Sequence, residues 1–157
     1  MDADLEGGCA CGAVRYRLAA EPMFVNCCHC TWCQRETGGA FVINAIIERS
    51  CVEVTRGATD AVVTPSESGE NQIIHRCPDC HVALWSHYGG HTSVAFVRAG
   101  TLDRADAVRP GAFIFTRSKL PWVVLPADIP AFEIYYEMDE LWTPEARARR
   151  AAALAGG

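Results

Sequence analysis

The chain has 157 residues, half of them apolar and about a fifth charged, with a formal net charge of -5 and an isoelectric point near 5.5. That length and balance suit one globular domain with a modest core. The acidic surplus, with no basic stripe, argues against a nucleic-acid partner; no run of about 18 apolar residues occurs, so no membrane-spanning helix is expected.

Most of the sequence reads as short strands. Val14, Tyr16 and Leu18 alternate with Arg15 and Arg17, the period-2 pattern of a half-buried strand. Further β-rich runs lie at 40–47, 52–55, 61–64, 72–75, 82–86, 93–97, 112–115 and 122–125. Gly38-Gly39, Gly57, Pro65, Gly89-Gly90, Gly100, Pro110-Gly111 and Pro121 punctuate them. So many short strands with frequent turns predict a mainly β domain built from small sheets. A helical turn is expected over 31–37, ended by Gly38, and a polar loop over 66–71. Near the end, Thr143-Pro144-Glu145 is a helix start, with a capping hydroxyl, proline at the first helical position and an early acid. The Ala/Arg-rich run that follows is short for a helix without packing, and is expected as a frayed surface helix. The domain organisation is therefore a single domain over 1–142, followed by a C-terminal helix or tail over 143–157. Residues 1–6 carry neither a basic region nor an apolar run, so no secretory leader is expected and the predicted location is cytoplasmic.

The nine cysteines carry the chemistry. Cys9-Ala10-Cys11, Cys28-His29-Cys30-Thr31-Trp32-Cys33 and Cys77-Pro78-Asp79-Cys80 are too tightly spaced for ordinary disulfides and well spaced to ligate a soft metal. In a reducing compartment such clusters are more often metal sites than disulfides. Cys9, Cys11, Cys77 and Cys80 together make a closed four-thiolate zinc site that staples the N-terminal strand to the middle of the chain. Cys28 and Cys30 point to one side of an extended segment, and Cys33 returns to the same point through a helical turn. Three thiolates leave a fourth position open, where zinc holds an incoming thiol as thiolate or polarises a carbonyl. Alternatives stay open at this stage. Cys27 is a candidate fourth sulfur that would close the second site, and an empty or redox-active thiol set is another reading. His81 stands where such knuckles carry glycine and is a candidate substitute ligand; it also tolerates a positive φ better than most residues. Cys51 reads as a buried small hydrophobe. His29 is expected to point away from the metal, His75 and His87 to be structural, and His91 to lie in a solvated turn.

Gly8-Cys9-Ala10-Cys11-Gly12-Ala13-Val14-Arg15-Tyr16 and Cys28-His29-Cys30-x-x-Cys33-Gln34-Arg35 resemble the glutathione-dependent formaldehyde-activating enzymes, grouped with centromere protein V. The likeness continues through Thr37-Gly38-Gly39-Ala40-Phe41, the knuckle at 77–80, Ala99-Gly100-Thr101-Leu102-Asp103, Ser118-Lys119-Leu120-Pro121-Trp122 and Ile129-Pro130-Ala131-Phe132. It implies a β-tent fold of small antiparallel sheets clasped around zinc, with Cys9, Cys11, Cys77 and Cys80 on a structural zinc and Cys28, Cys30 and Cys33 on a catalytic one. It further implies a carbon–sulfur lyase or synthase that interconverts glutathione plus formaldehyde with S-hydroxymethylglutathione, glutathione being the co-substrate. Gln34, Arg35 and Lys119 are the candidate substrate-binding donors. The partners expected are thus a small thiol and an aldehyde, with no nucleic acid and no membrane. The other class of function is a non-catalytic, zinc-stabilised thiol-binding or interaction module. A methionine sulfoxide reductase would need a reactive cysteine away from the structural zinc, for which Cys51 is the isolated candidate.

Overall fold

The computed structural model describes residues 5–157, so the reading of residues 1–4 lies outside the described residues. The chain forms strands β1 (Leu5–Gly8), β2 (Arg15–Leu18), β3 (Phe24–Cys28), β4 (Val42–Glu48), β5 (Val52–Arg56), β6 (Asp60–Pro65), β7 (Asn71–Arg76), β8 (Ala83–His87), β9 (Val94–Arg98) and β10 (Ala112–Ile114). Helices α1 (Thr31–Thr37), α2 (Met138–Leu141) and α3 (Pro144–Ala155) complete it, with a few 3-10 turns. The fold is mainly β with two sheets and few short helices, as the punctuated strand pattern predicts. A three-stranded sheet runs β1-β2-β5 and a seven-stranded one β10-β3-β4-β9-β8-β7-β6. Every pairing is antiparallel except that of β10 with β3.

The two faces of the large sheet do different work because side chains alternate along its strands. Ala45 and Ile47 of β4, Trp85 of β8, and Ala95 and Val97 of β9 pack with Val14, Tyr16, Leu18 and Val52 of the small sheet. Trp85 is fully buried and meets Tyr16 edge-on at 6.0 Å, so its truncation would cost about 4 kcal/mol. The opposite face, with Val42, Ile46 and Val94, packs around Cys28, Cys30 and Cys33 and is covered by Tyr136, Trp142 and Ala146. The candidate site sits on this second face.

Three local outcomes differ from the expected elements, each with a physical reason. Residues 122–125 form no strand: Trp122 and Val124 are 71% and 89% exposed, and Lys119 Nζ donates to the carbonyls of Leu120 and Val123, folding the segment onto itself. β3 is a central strand with no polar alternation to announce it, since Asn26 and Cys28 face one layer and Cys27 the other, all buried. The C-terminal helix, expected as a surface helix short of packing, is docked against the domain. Thr143 Oγ1 accepts from Ala146 N at 3.1 Å, and Arg149 forms two 2.7 Å hydrogen bonds to the Glu48 carboxylate and a third to the Glu21 carbonyl. Trp142 stacks on Phe24 with ring centroids 5.4 Å apart.

Candidate metal centres and cavity

The first cluster is assembled across the chain. Cys9 and Cys11 follow β1 in a tight turn, where Cys9 N donates to Val14 O and Gly12 takes φ 78. Cys77 and Cys80 occupy the turn between β7 and β8. The Sγ atoms of Cys9, Cys11, Cys77 and Cys80 all lie within 4.8 Å of one another, with Cys9 to Cys11 at 3.5 Å and Cys11 to Cys77 at 3.7 Å. His81 takes φ 62 and donates its N–H to Cys77 O at 2.9 Å, so it does the glycine's conformational work and stands outside the four-sulfur group. Backbone N–H groups, Val82 first, pull the Cys80 thiol down to about 6.

The second cluster is local. Cys28 ends β3; Cys30 is the N-cap of α1, its Sγ accepting from Cys33 N at 3.2 Å; Cys33 then projects from the first turn. Gly38 closes the helix at φ 70, returning its N–H to Gln34 O, which is the expected left-handed cap. All three Sγ atoms lie within 4.8 Å of one another and are buried. Hydrogen bonds from the Cys28 thiol, and then from Cys33, hold the Cys30 sulfur down to about 3. The same sharing drives Cys28 far above its ordinary value. Cys27 points the other way, into a separate apolar cluster with Phe113 and Ile129, and is absent from the metal-ligating set. Burial pushes its thiol up to about 12. His29, fully buried, turns from the sulfurs toward Cys27, 3.6 Å from Nε2, between the rings of Phe41 and Phe113. Cys51 lies in a 3-10 turn and packs on the core between the sheets. His91 is exposed, whereas His75 stacks on Trp85 and burial pushes it down to about 4.

Beside Cys28, Cys30 and Cys33 opens a cavity of about 540 Å³. Asn26, Asn44 and Phe96 line its floor, and the loop carrying Ser66, Glu67 and Ser68 borders it. Residues after β10, including Phe115, Arg117 and Tyr135, add the remaining wall. Under the floor runs a buried polar chain across four strands. Asn44 Nδ2 donates to Asn26 Oδ1 at 3.5 Å, Arg98 Nη1 to Asn44 Oδ1 at 2.5 Å, and Arg98 Nη2 to Ser86 Oγ at 2.9 Å. None of the three candidate substrate donors lines this cavity. Gln34 Nε2 bridges the carbonyls of His29 and Ser118, Lys119 Nζ holds its own loop, and Arg35 is exposed on α1. The lining residues of the loop and of the segment after β10 were not picked out from the sequence. The polar loop between two β runs and the Tyr135-Tyr136 pair were the only local hints.

The molecule is a mainly β domain with two thiol groups of metal-ligating geometry among the described residues, one of four sulfurs and a buried one of three that opens on a cavity. The sequence matches the family described as glutathione-dependent formaldehyde-activating enzyme over residues 4–118, and the chain belongs to that family. A Halomonas elongata protein named for the same family is 35% identical over 129 residues, covering 76% of this chain and 79% of that one. A Rhodobacter sphaeroides protein of known crystal structure is similar at a TM-score of 0.48 and 18% identity, over 82% of this chain and 100% of that chain. No helix among the described residues is long and apolar enough to cross a membrane.

Proposed function

We propose that this protein is a zinc-dependent carbon–sulfur lyase or synthase acting on a glutathione–aldehyde adduct, forming or cleaving S-hydroxymethylglutathione. The carrying observation is the convergence of three buried sulfurs on the wall of a cavity, delivered by one short segment that leaves one side of the set open. Both sets of thiols fit zinc: soft donors, grouped within 4.8 Å, in numbers matching a closed tetrahedral site and an open one. Cys9, Cys11, Cys77 and Cys80 would hold the structural ion and Cys28, Cys30 and Cys33 the second, where bound zinc keeps a substrate thiol as thiolate.

The chain's own residues do the rest. The cavity brings thiol and aldehyde together, which supplies proximity. The glutathione sulfur then forms a bond to the carbonyl carbon, the carbonyl π pair moves to oxygen, and that oxygen takes the proton the thiol gave up. Cleavage is the reverse. Gln34 fixes α1 against the 3-10 turn at 116–118 and so positions Cys33. Arg35, exposed on α1 outside the cavity lining, is the cation we assign to a carboxylate of the thiol tripeptide reaching past the rim, while Lys119 braces the 119–123 loop. The test is the rate of adduct exchange between glutathione and formaldehyde by two-dimensional NMR exchange. Catalysis that disappears in Cys28→Ser supports the reading; an exchange rate equal to the uncatalysed one at every protein concentration sinks it.

A further inference from the structure

Adduct formation moves negative charge onto the carbonyl oxygen, and a donor aimed at that oxygen favours the transition state over the reactants. The sulfurs of Cys28, Cys30 and Cys33 answer for the thiol, so the oxygen needs a group of its own. Ser66, Ser68, Tyr88 and Tyr135 are the hydroxyl-bearing residues of the cavity wall. Three of them use their proton inside the fold. Ser66 Oγ donates to Glu70 O at 2.6 Å, which leaves Ser68 Oγ to donate to Ser66 Oγ at 2.9 Å. Tyr135 donates to the Tyr136 hydroxyl at 3.3 Å.

Tyr88 differs. The neighbour of its hydroxyl is the Arg98 guanidinium, which hydrogen-bonds it. A guanidinium carries donors only, so it meets the phenol oxygen and cannot take the phenol proton. No acceptor for that proton is found among the described residues. The side chain is also held in place. Its ring meets Phe96, another wall residue, edge-on with 4.8 Å between centroids, and its carbonyl accepts from His91 N at 3.3 Å across the Gly89-Gly90 turn. Arg98 is fixed in its turn by Asn44 and Ser86. Burial pushes the Tyr88 phenol up, Arg98 pulls it back by charge and hydrogen bond, and the charges of Cys33 and Cys28 push it up again, with the net direction upward. A phenol so placed stays neutral at pH 7, and it stands within the field of two of the three sulfurs.

We infer that Tyr88 is a catalytic residue of this centre, its O–H donating to the aldehyde oxygen and holding the oxyanion that forms as sulfur adds to carbon. This rests on the glutathione-adduct reading and assigns a group to the oxygen end of that reaction. The bond changes are those already given: sulfur bonds to the carbonyl carbon, the π pair moves to oxygen, and the thiol proton ends on that oxygen. Tyr88 keeps its own proton throughout.

The test joins a rate with a spectrum. Adduct exchange is followed by the same NMR measurement on the metal-loaded parent and on Tyr88→Phe, which keeps the ring against Phe96. Removing one oxyanion donor typically costs about 100- to 1000-fold. We expect Tyr88→Phe to lose on the order of 100-fold in maximal exchange rate, with glutathione affinity by titration calorimetry within about twofold of the parent. S-acetylglutathione gives a readout without turnover, because its carbonyl oxygen sits on the carbon bonded to sulfur, as in the adduct. Its isotope-edited carbonyl infrared band should move to lower wavenumber on binding to the parent and lose most of that shift in Tyr88→Phe. A variant that exchanges as fast as the parent, or shifts the band equally, overturns the assignment of Tyr88 and leaves the carbon–sulfur reading standing. A loss of rate carried wholly by glutathione affinity does the same. An unshifted band in the parent at saturating S-acetylglutathione also overturns it, without requiring any variant to fold. Exchange at the uncatalysed rate in the parent itself overturns the carbon–sulfur reading and the role of Tyr88 with it.

Discussion

Replacing Arg98 by methionine tests the buried polar chain beneath the cavity. Arg98 is only 5% exposed, and no carboxylate among the described residues pairs with it in a salt bridge. Its guanidinium makes two hydrogen bonds, to Asn44 Oδ1 and Ser86 Oγ. Bonds of this kind contribute about 1.5–3 kcal/mol each, so their loss alone costs about 3–6 kcal/mol, with Asn44 and Ser86 left short of a donor. Opposing this is the penalty of burying a lone cation, several kcal/mol that methionine would recover. Because removing the guanidinium leaves Asn44 and Ser86 short of a donor within a buried chain, we expect Arg98→Met to lose about 3 kcal/mol, near 10 °C in Tm for a domain of this size. Arg98→Lys, able to keep the charge and one of the bonds, should fall between. The assay is urea unfolding of metal-loaded protein at fixed metal concentration, with the m-value as a check that only stability changed. A methionine variant within about 0.5 kcal/mol of the parent, or above it, would refute the reasoning, because desolvation would then cancel both bonds.

Other perturbations have equally definite outcomes. Gly57 holds φ 74, and a Cβ there would come within 2.3 Å of Ala13 O, whereas a Cβ at Gly69, φ 83, meets nothing within 4 Å. Gly57→Ala should therefore cost about 3 kcal/mol in thermal or urea unfolding against about 1 for Gly69→Ala, and equal costs would remove the clash from the account. Burial lifts the Glu48 carboxyl, but the hydrogen-bonded Arg149 guanidinium outweighs it and holds the pKa below the ordinary value. Since the folded pKa is the depressed one, this contribution is full above about pH 4.3 and fades as pH falls through the folded value. Protection factors of the α3 amides, corrected for the intrinsic pH dependence of exchange, should fall over that acidic range, and Glu48→Gln should flatten the response. Cys77→Ser should lower metal content and leave little cooperative unfolding transition, while Cys28→Ser should lower metal content, keep the transition and abolish catalysed adduct exchange. Identical unfolding curves for the two would contradict the division into staple and open centre.

Much of the site was legible because its spacing is short. The helix over 31–37 with its Gly38 cap, the orientation of Cys28, Cys30 and Cys33, and the positive φ of His81 all follow from neighbours a few residues away. The two faces of β2 were likewise readable from the alternation of Val14, Tyr16 and Leu18 with two arginines. What failed to show depends on distant partners. β3 carries no alternation because both its faces are covered. Residues 122–125 look strand-like by composition, yet find no ladder and are held by Lys119. The docking of α3 depends on Arg149 meeting Glu48, 101 residues earlier. The cavity wall combines a polar loop, an aromatic pair and Phe115, which no local pattern connects.

The two cysteine clusters also assemble on different terms. Cys30 and Cys33 are three residues apart, gathered by one helical turn, whereas Cys11 and Cys77 are separated by 66 residues. By the logarithmic dependence of loop closure on length, the distant set starts at a disadvantage of about 3 kcal/mol in chain entropy. During synthesis the local trio is complete as soon as Cys33 is made, long before the knuckle at Cys77 and Cys80 exists to meet Cys9 and Cys11. The sulfurs of the local trio are thus all present in the growing chain before those of the knuckle.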